Sequence, residues 1–212
     1  DAAGPLSGTT GGDGEPLRLV ALGESTVAGV GAASHDRALT GQLATALNRI
    51  TGRRVDWSVV ARTGINARNC CVELVPKLNG CRADLVVIAL GVNDSIELHS
   101  ARRWAADLEK LIDAVRAAVG DVPVLLAGVP PLDCFPVLPE PLSFVLGARS
   151  ASLGQAAIKL AARMDGVVHV PFQIEKRNCN ELFCADGFHP SEQGYKLWAG
   201  QLAEAFVKFT GH

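Results

Sequence analysis

Leu17-Arg-Leu-Val-Ala-Leu-Gly-Glu-Ser25 is the stretch on which the fold turns. A short apolar run ends at a glycine, an acid and a serine, and Thr26-Val27-Ala28-Gly29 follows. Bounded by a polar leader and a turn, the run reads as a buried strand. Gly23 allows a backbone bend that a side chain would resist. Ser25 is therefore expected just beyond the carboxyl end of a first strand, where open parallel sheets place their ligands. Alone, the same pattern also describes a strand-end turn with a solvated serine.

Working outward, residues 1–16 are rich in Gly, Thr and Asp and read as a flexible leader, leaving residues 17–212 as one domain. Leu39, Leu43, Leu47 and Ile50 mark one face of a helix within Asp36–Ile50, with Gly52 placed to end it. Arg54–Ala61 is rich in β-branched residues and predicts a second strand, with Arg62-Thr63-Gly64 at its carboxyl end. The continuous apolar run of Asp84–Leu90 fits a central parallel strand covered on both faces. It leads into Gly91-Val92-Asn93-Asp94. Asp94 either structures that loop or is a solvated charge.

A long helix is predicted over Ala101–Val119, then strands at Pro123–Val129 and Gly166–Val170. Helices follow at Ala151–Arg163 and from Ser191 to Phe209, with Ser191 as an N-cap. Between strands lies Pro130–Gly147, with five prolines and the apolar residues Leu132, Phe135, Leu138, Leu142 and Phe144. It is too apolar for an ordinary solvated loop, and either walls a substrate pocket or packs on the core. The alternation predicts an α/β fold: a three-layer α/β/α sandwich around a mainly parallel sheet of about five strands.

Composition narrows the classes. Of 212 residues, 48% are hydrophobic and 20% charged, an ordinary globular balance. The net charge of −2 gives no reason to expect a nucleic-acid partner. No apolar run approaches the roughly 18–20 residues of a bilayer span. Six cysteines permit disulfides in an oxidising compartment, with Cys179–Cys184 and Cys70 (or Cys71) with Cys81 as candidate pairs, or they are reduced thiols. The missing initiator methionine, the cysteines and the leader favour export or attachment to a cell envelope, with a cytoplasmic enzyme as the alternative.

Near the C-terminus, Asp186-Gly187-Phe188-His189-Pro190 sets an acid three residues before a histidine. In acyl transfer a serine hydroxyl needs a base, and that imidazole needs an acid to hold its tautomer. His35, His99, His169 and His212 lack an acid at that spacing, and His169 reads as a packed or pocket-edge residue in a strand. Leu22-Gly23-Glu24-Ser25, Gly64, Gly91-Val92-Asn93-Asp94 and Asp186-Gly187-Phe188-His189-Pro190 occur in an order that resembles the four sequence blocks of the SGNH hydrolases, or GDSL-type esterases and lipases. The segment Pro190–Ala199 resembles that family's closing helix.

The resemblance implies a flavodoxin-like fold with Ser25 as nucleophile, His189 as general base and acid, and Asp186 orienting His189. It implies an oxyanion hole built from the backbone N–H groups of Ser25 and Gly64 and the side-chain amide of Asn93. Glu24 departs from the family's usual Asp and is one methylene longer. The expected activity is hydrolysis of short- to medium-chain or lipid-like carboxylic esters by a monomer, with Leu132, Phe135, Leu138 and Phe188 near the substrate and neither metal nor cofactor. A thioesterase, a lysophospholipase or a carbohydrate O-deacetylase would use the same residues. A nucleotide-binding module is the reading from another class, although Gly29–Ser34 lacks the third glycine of a dinucleotide fingerprint and no phosphate loop occurs. A catalytically silent domain on the same scaffold is the third.

Overall fold

The computed structural model describes residues 1–174 and 179–211, with only the backbone of residues 179 and 180. Strand β1 (Ser7–Thr10) precedes β2 (Leu17–Gly23), helix α1 (Leu39–Thr51), β3 (Val55–Ala61), α2 (Ala67–Glu73), β4 (Leu85–Ala89) and the short α3 (Val92–Ile96). There follow α4 (Ala101–Val119), β5 (Val124–Ala127), α5 (Leu142–Ala161), β6 (Val167–Val170), α6 (Cys179–Leu182) and α7 (Glu192–Thr210). The strands form one sheet in the order β1-β3-β2-β4-β5-β6. All neighbours pair in parallel except β1 and β3.

Residue alternation explains the three layers. Leu17, Leu19, Ala21, Val55, Trp57, Leu85, Val87 and Leu125 point to one face and meet Leu39, Leu43 and Leu47 of α1 and Tyr195, Trp198 and Leu202 of α7. Val20, Leu22, Val86, Ile88, Val124 and Leu126 point to the other and meet α2, α4 and α5 through Cys70, Trp104, Leu108, Ile112, Leu153 and Leu160. β4 is buried at every position, as a central parallel strand must be. Ser100 caps α4 by accepting from Arg103 N, and Gly52 ends α1 in the left-handed conformation at φ 70°.

Several expectations are corrected. The leader contributes β1, whose register runs Ser7↔Ser58 to Thr10↔Val55, so the sheet has six strands. Helix α5 begins at Leu142, inside the proline-rich connection. Ile50 lies off the buried face of α1 and is largely exposed. Gly23 is needed for close packing: a Cβ there would lie 2.1 Å from Ala89 O. Cys70 is on the buried face of α2 while Cys81 is exposed, and both are free thiols. Cys184 is also a free thiol, and the side chain of its expected partner Cys179 lies outside the described residues. Among the described residues no helix is long and apolar enough to cross a membrane.

Candidate active site

The parallel register aligns Gly23 with Ala61 on one side and Ala89 on the other. The chain segments leaving β2, β3 and β4 therefore emerge at a common rim. β2 is also where the connections reverse direction, to β3 on one side and β4 on the other, which makes a crevice beside its end. Ser25 sits two residues past β2 and is nearly buried.

At the same rim, the turn before α7 is built around the Asp186 carboxylate. Asp186 Oδ1 accepts from Phe188 N at 2.8 Å, His189 N at 2.9 Å and the Cys184 thiol at 3.1 Å. Oδ2 lies 2.7 Å from His189 Nδ1. Burial raises the Asp186 pKa, but the hydrogen bonds from the His189 side chain and backbone, Phe188 and Cys184 outweigh it and hold the carboxyl well below its usual range. With Nδ1 directed at the carboxylate, Nε2 is left as the nitrogen free to exchange a proton with another group. Gly187 turns the chain at φ 65°, a conformation that favours glycine. Phe183 bridges to Pro190, which ties the turn to α6.

Ser25 and His189 line one small pocket with Thr26, Val92, Pro130, Phe135, Phe172, Phe183, Phe188 and Pro190. Phe135 stands at the centre of its aromatic wall, 4.8 Å from Phe183 and 5.1 Å from Phe188 between ring centroids. Of the residues expected near substrate, Phe135 and Phe188 line this pocket. Leu132 is fully buried and Leu138 packs on the same small core, so neither lines it. Phe172 and Phe183 escaped the sequence reading because isolated aromatics after a strand and in a loop carry no periodic signal.

Glu24, 1% exposed, welds the serine turn to the loop after β4. Its carboxylate accepts from Val92 N at 3.0 Å, from Asn93 N at 3.1 Å and from Asn93 Nδ2. Burial pushes the Glu24 pKa up to about 7 against the pull of those N–H donors. Asn93 Nδ2 also donates to Ile65 O at 3.2 Å, so both amide hydrogens have protein acceptors. Gly64 adopts φ 78° and faces open space, so its backbone conformation accounts for the glycine.

Asp94 is not a solvated charge. It is fully buried, with Oδ1 2.8 Å from His99 Nδ1 and Oδ2 accepting from Ala67 N at 3.1 Å. Spacing missed this pair because the acid lies five residues upstream, a separation with no standard helical or turn meaning. His169 is partly buried in β6 and borders a different groove with Gly128 and Pro171.

A mainly parallel sandwich with a serine beyond β2 and an Asp-His turn before the last helix has the architecture of the GDSL and SGNH hydrolases. The chain belongs to the GDSL-like lipase/acylhydrolase family, whose model matches residues 21–197. It is 31% identical over 196 residues to a GDSL-like esterase of Mycobacterium tuberculosis, covering 88% of this chain and 60% of the relative. The chain thus spans about 60% of the length of that curated relative. Among solved structures it resembles a lipase from a goat rumen metagenome, with TM-score 0.70 and 16% identity over 89% of this chain and 97% of the other. It also resembles a family 3 carbohydrate esterase of Clostridium thermocellum, with TM-score 0.69 and 20% identity over 92% and 97% of the two chains. At these identities the structures speak to the fold.

Proposed function

We propose that the protein is a serine esterase that hydrolyses carboxylic esters through an acyl-enzyme. The observation that carries this reading is the joint lining of one pocket by Ser25 and His189, with Asp186 Oδ2 2.7 Å from the far ring nitrogen of His189. Ser25 Oγ attacks the ester carbonyl as His189 Nε2 takes its proton, and the imidazolium returns that proton to the departing alkoxide. Water, deprotonated by the same nitrogen, then attacks the acyl-serine and releases the acid. Asp186 holds the tautomer and stabilises the imidazolium.

In this reading the oxyanion is held by Ser25 N–H, Gly64 N–H and Asn93 Nδ2. A substrate oxygen would compete with Ile65 O for one Asn93 hydrogen, and Glu24 would keep the other in place. The Phe135, Phe172, Phe183 and Phe188 lining favours an apolar acyl group over a sugar. The pocket is small, which favours short acyl chains over long ones.

The test is turnover of p-nitrophenyl esters from acetate to octanoate, beside an acetylated sugar and an acyl thioester. The expected result is fastest turnover of the short oxygen esters, with kcat lower by about 10³-fold or more in Ser25→Ala. Unchanged turnover in Ser25→Ala would overturn the nucleophile assignment. A preference for the acetylated sugar or the thioester would replace the proposed substrate class with that alternative.

A further inference from the structure

Beside the pocket lies a second set of titratable groups that the proposed chemistry leaves unused. His99 is buried, and both of its ring nitrogens meet a carboxylate: Nδ1 lies 2.8 Å from Asp94 Oδ1 and Nε2 3.0 Å from Glu97 Oε2. Each ring nitrogen is thus within hydrogen-bonding distance of a carboxylate oxygen, and the ring spans the two side chains.

The two carboxylates reach beyond His99. Asp94 Oδ2 accepts from Ala67 N at 3.1 Å, and Glu97 Oε2 accepts from Asn66 Nδ2 at 2.7 Å. Asn66 is in turn the N-cap of α2, accepting from Asn69 N. The His99 carbonyl accepts from Arg149 of α5 at 3.3 Å. The two carboxylates therefore join α3 to the start of α2, the His99 ring braces both carboxylates, and the His99 carbonyl adds a link to α5.

The chain bends to make this possible. Leu98, between Glu97 and His99, has φ 59°, the only positive φ at a non-glycine among the described residues. Leucine adopts that conformation at an energetic penalty, and it persists only where surrounding contacts over-determine it. Here the turn returns His99 N to Asp94 O at 3.0 Å and aims the ring at Asp94 and Glu97.

We propose that His99 is a positioning residue: by bracing the Asp94 and Glu97 carboxylates together it holds α3 against Asn66 and Ala67, and so sets the spacing between Asn93 and Gly64. This rests on the esterase reading, in which those two residues carry oxyanion donors. Gly64 is two residues from Asn66, and Asn93 is adjacent to Asp94, so a slip of the clamp is felt directly at both.

The test uses His99→Asn, which keeps a donor near the Nδ1 position but cannot reach Glu97, and Glu97→Ala, which removes the oxygen that meets both His99 and Asn66 and leaves His99 in place. The probe is p-nitrophenyl acetate, with Ser25→Ala as control and thermal melts to verify folding. Misplacement of a donor by about an ångström predicts kcat lower by about 10-fold or more in each variant, with KM within about twofold. Because both changes open one clamp, the double variant is expected to lose little more than either single one. Folded variants with kcat within about twofold of the parent, or with the loss confined to KM, would overturn the proposal. If His99→Asn does not fold, Glu97→Ala decides, since that side chain is 42% exposed. Activity surviving in Ser25→Ala would instead strike at the esterase reading itself.

Discussion

Glu24 holds a carboxyl where burial opposes charge and three N–H groups oppose protonation. Burial prevails, and the pKa is raised from 4.5 to about 7. A carboxyl that binds its proton more tightly in the folded chain stabilises that chain below the unfolded pKa, and the contribution fades as pH rises through the folded one. Between about pH 4.5 and 7 the Glu24 contribution to stability should therefore fall, by on the order of 3 kcal/mol. Chemical denaturation from pH 4.5 to 8 measures it: Glu24→Gln is expected to flatten that slope, and an unaltered slope would contradict the burial argument. Asp186 works with the opposite sign. Its depressed pKa stabilises the fold above the ordinary Asp value and is lost as pH falls through the folded one. At this scale Ser25, Asp186 and His189 stood out in the sequence by their resemblance to ordered family blocks, and the fold brings Ser25 and His189 to one pocket with Asp186 against His189. The pairing of His99 was hidden because a left-handed leucine, which no sequence rule anticipates, brings it back onto Asp94.

Helix α7 shows how an element presents a site it does not contain. Ser191 accepts from Gly194 N at 3.2 Å and donates to Glu181 O at 3.0 Å, so one hydroxyl both caps α7 and ties it to α6. His189 lies two residues ahead of that cap. Ser191→Ala is expected to destabilise the protein by about 1 kcal/mol, read as a lower denaturant midpoint with unchanged slope. No change in midpoint would mean that water replaces the cap without loss. Buried strands and long amphipathic helices were legible as elements: α4 spans Ala101–Val119 as its apolar spacing predicts. β1 was not, because Ser-Gly-Thr-Thr has no apolar alternation and becomes a strand by pairing with β3, aided by Thr9 Oγ1 donating to Asp56 at 2.8 Å. The start of α5 was obscured by Pro139 and Pro141, which are tolerated at its N-terminal end but read as helix breakers in sequence.

For the whole molecule, two cores of different composition clamp one sheet, and the rim beside β2 is where chemistry can be placed without opening either. Five parallel strands bring together segments separated by more than 160 residues, Ser25 and His189 being the extremes. A small third core of Val92, Leu132, Phe135, Leu146, Leu182 and Phe183 roofs that rim. It makes the proline-rich connection part of the pocket wall through Phe135 while Leu132 serves packing alone. The most direct measurement is a crystal structure of the protein after reaction with a serine-directed alkyl phosphonate. The predicted result is a phosphorus bonded to Ser25 Oγ, with one phosphoryl oxygen within about 3.1 Å of the Ser25 and Gly64 backbone nitrogens and Asn93 Nδ2, and His189 Nε2 beside the adduct. Phosphonylation of another residue, or an adduct at Ser25 whose phosphoryl oxygen meets none of those donors, would contradict it.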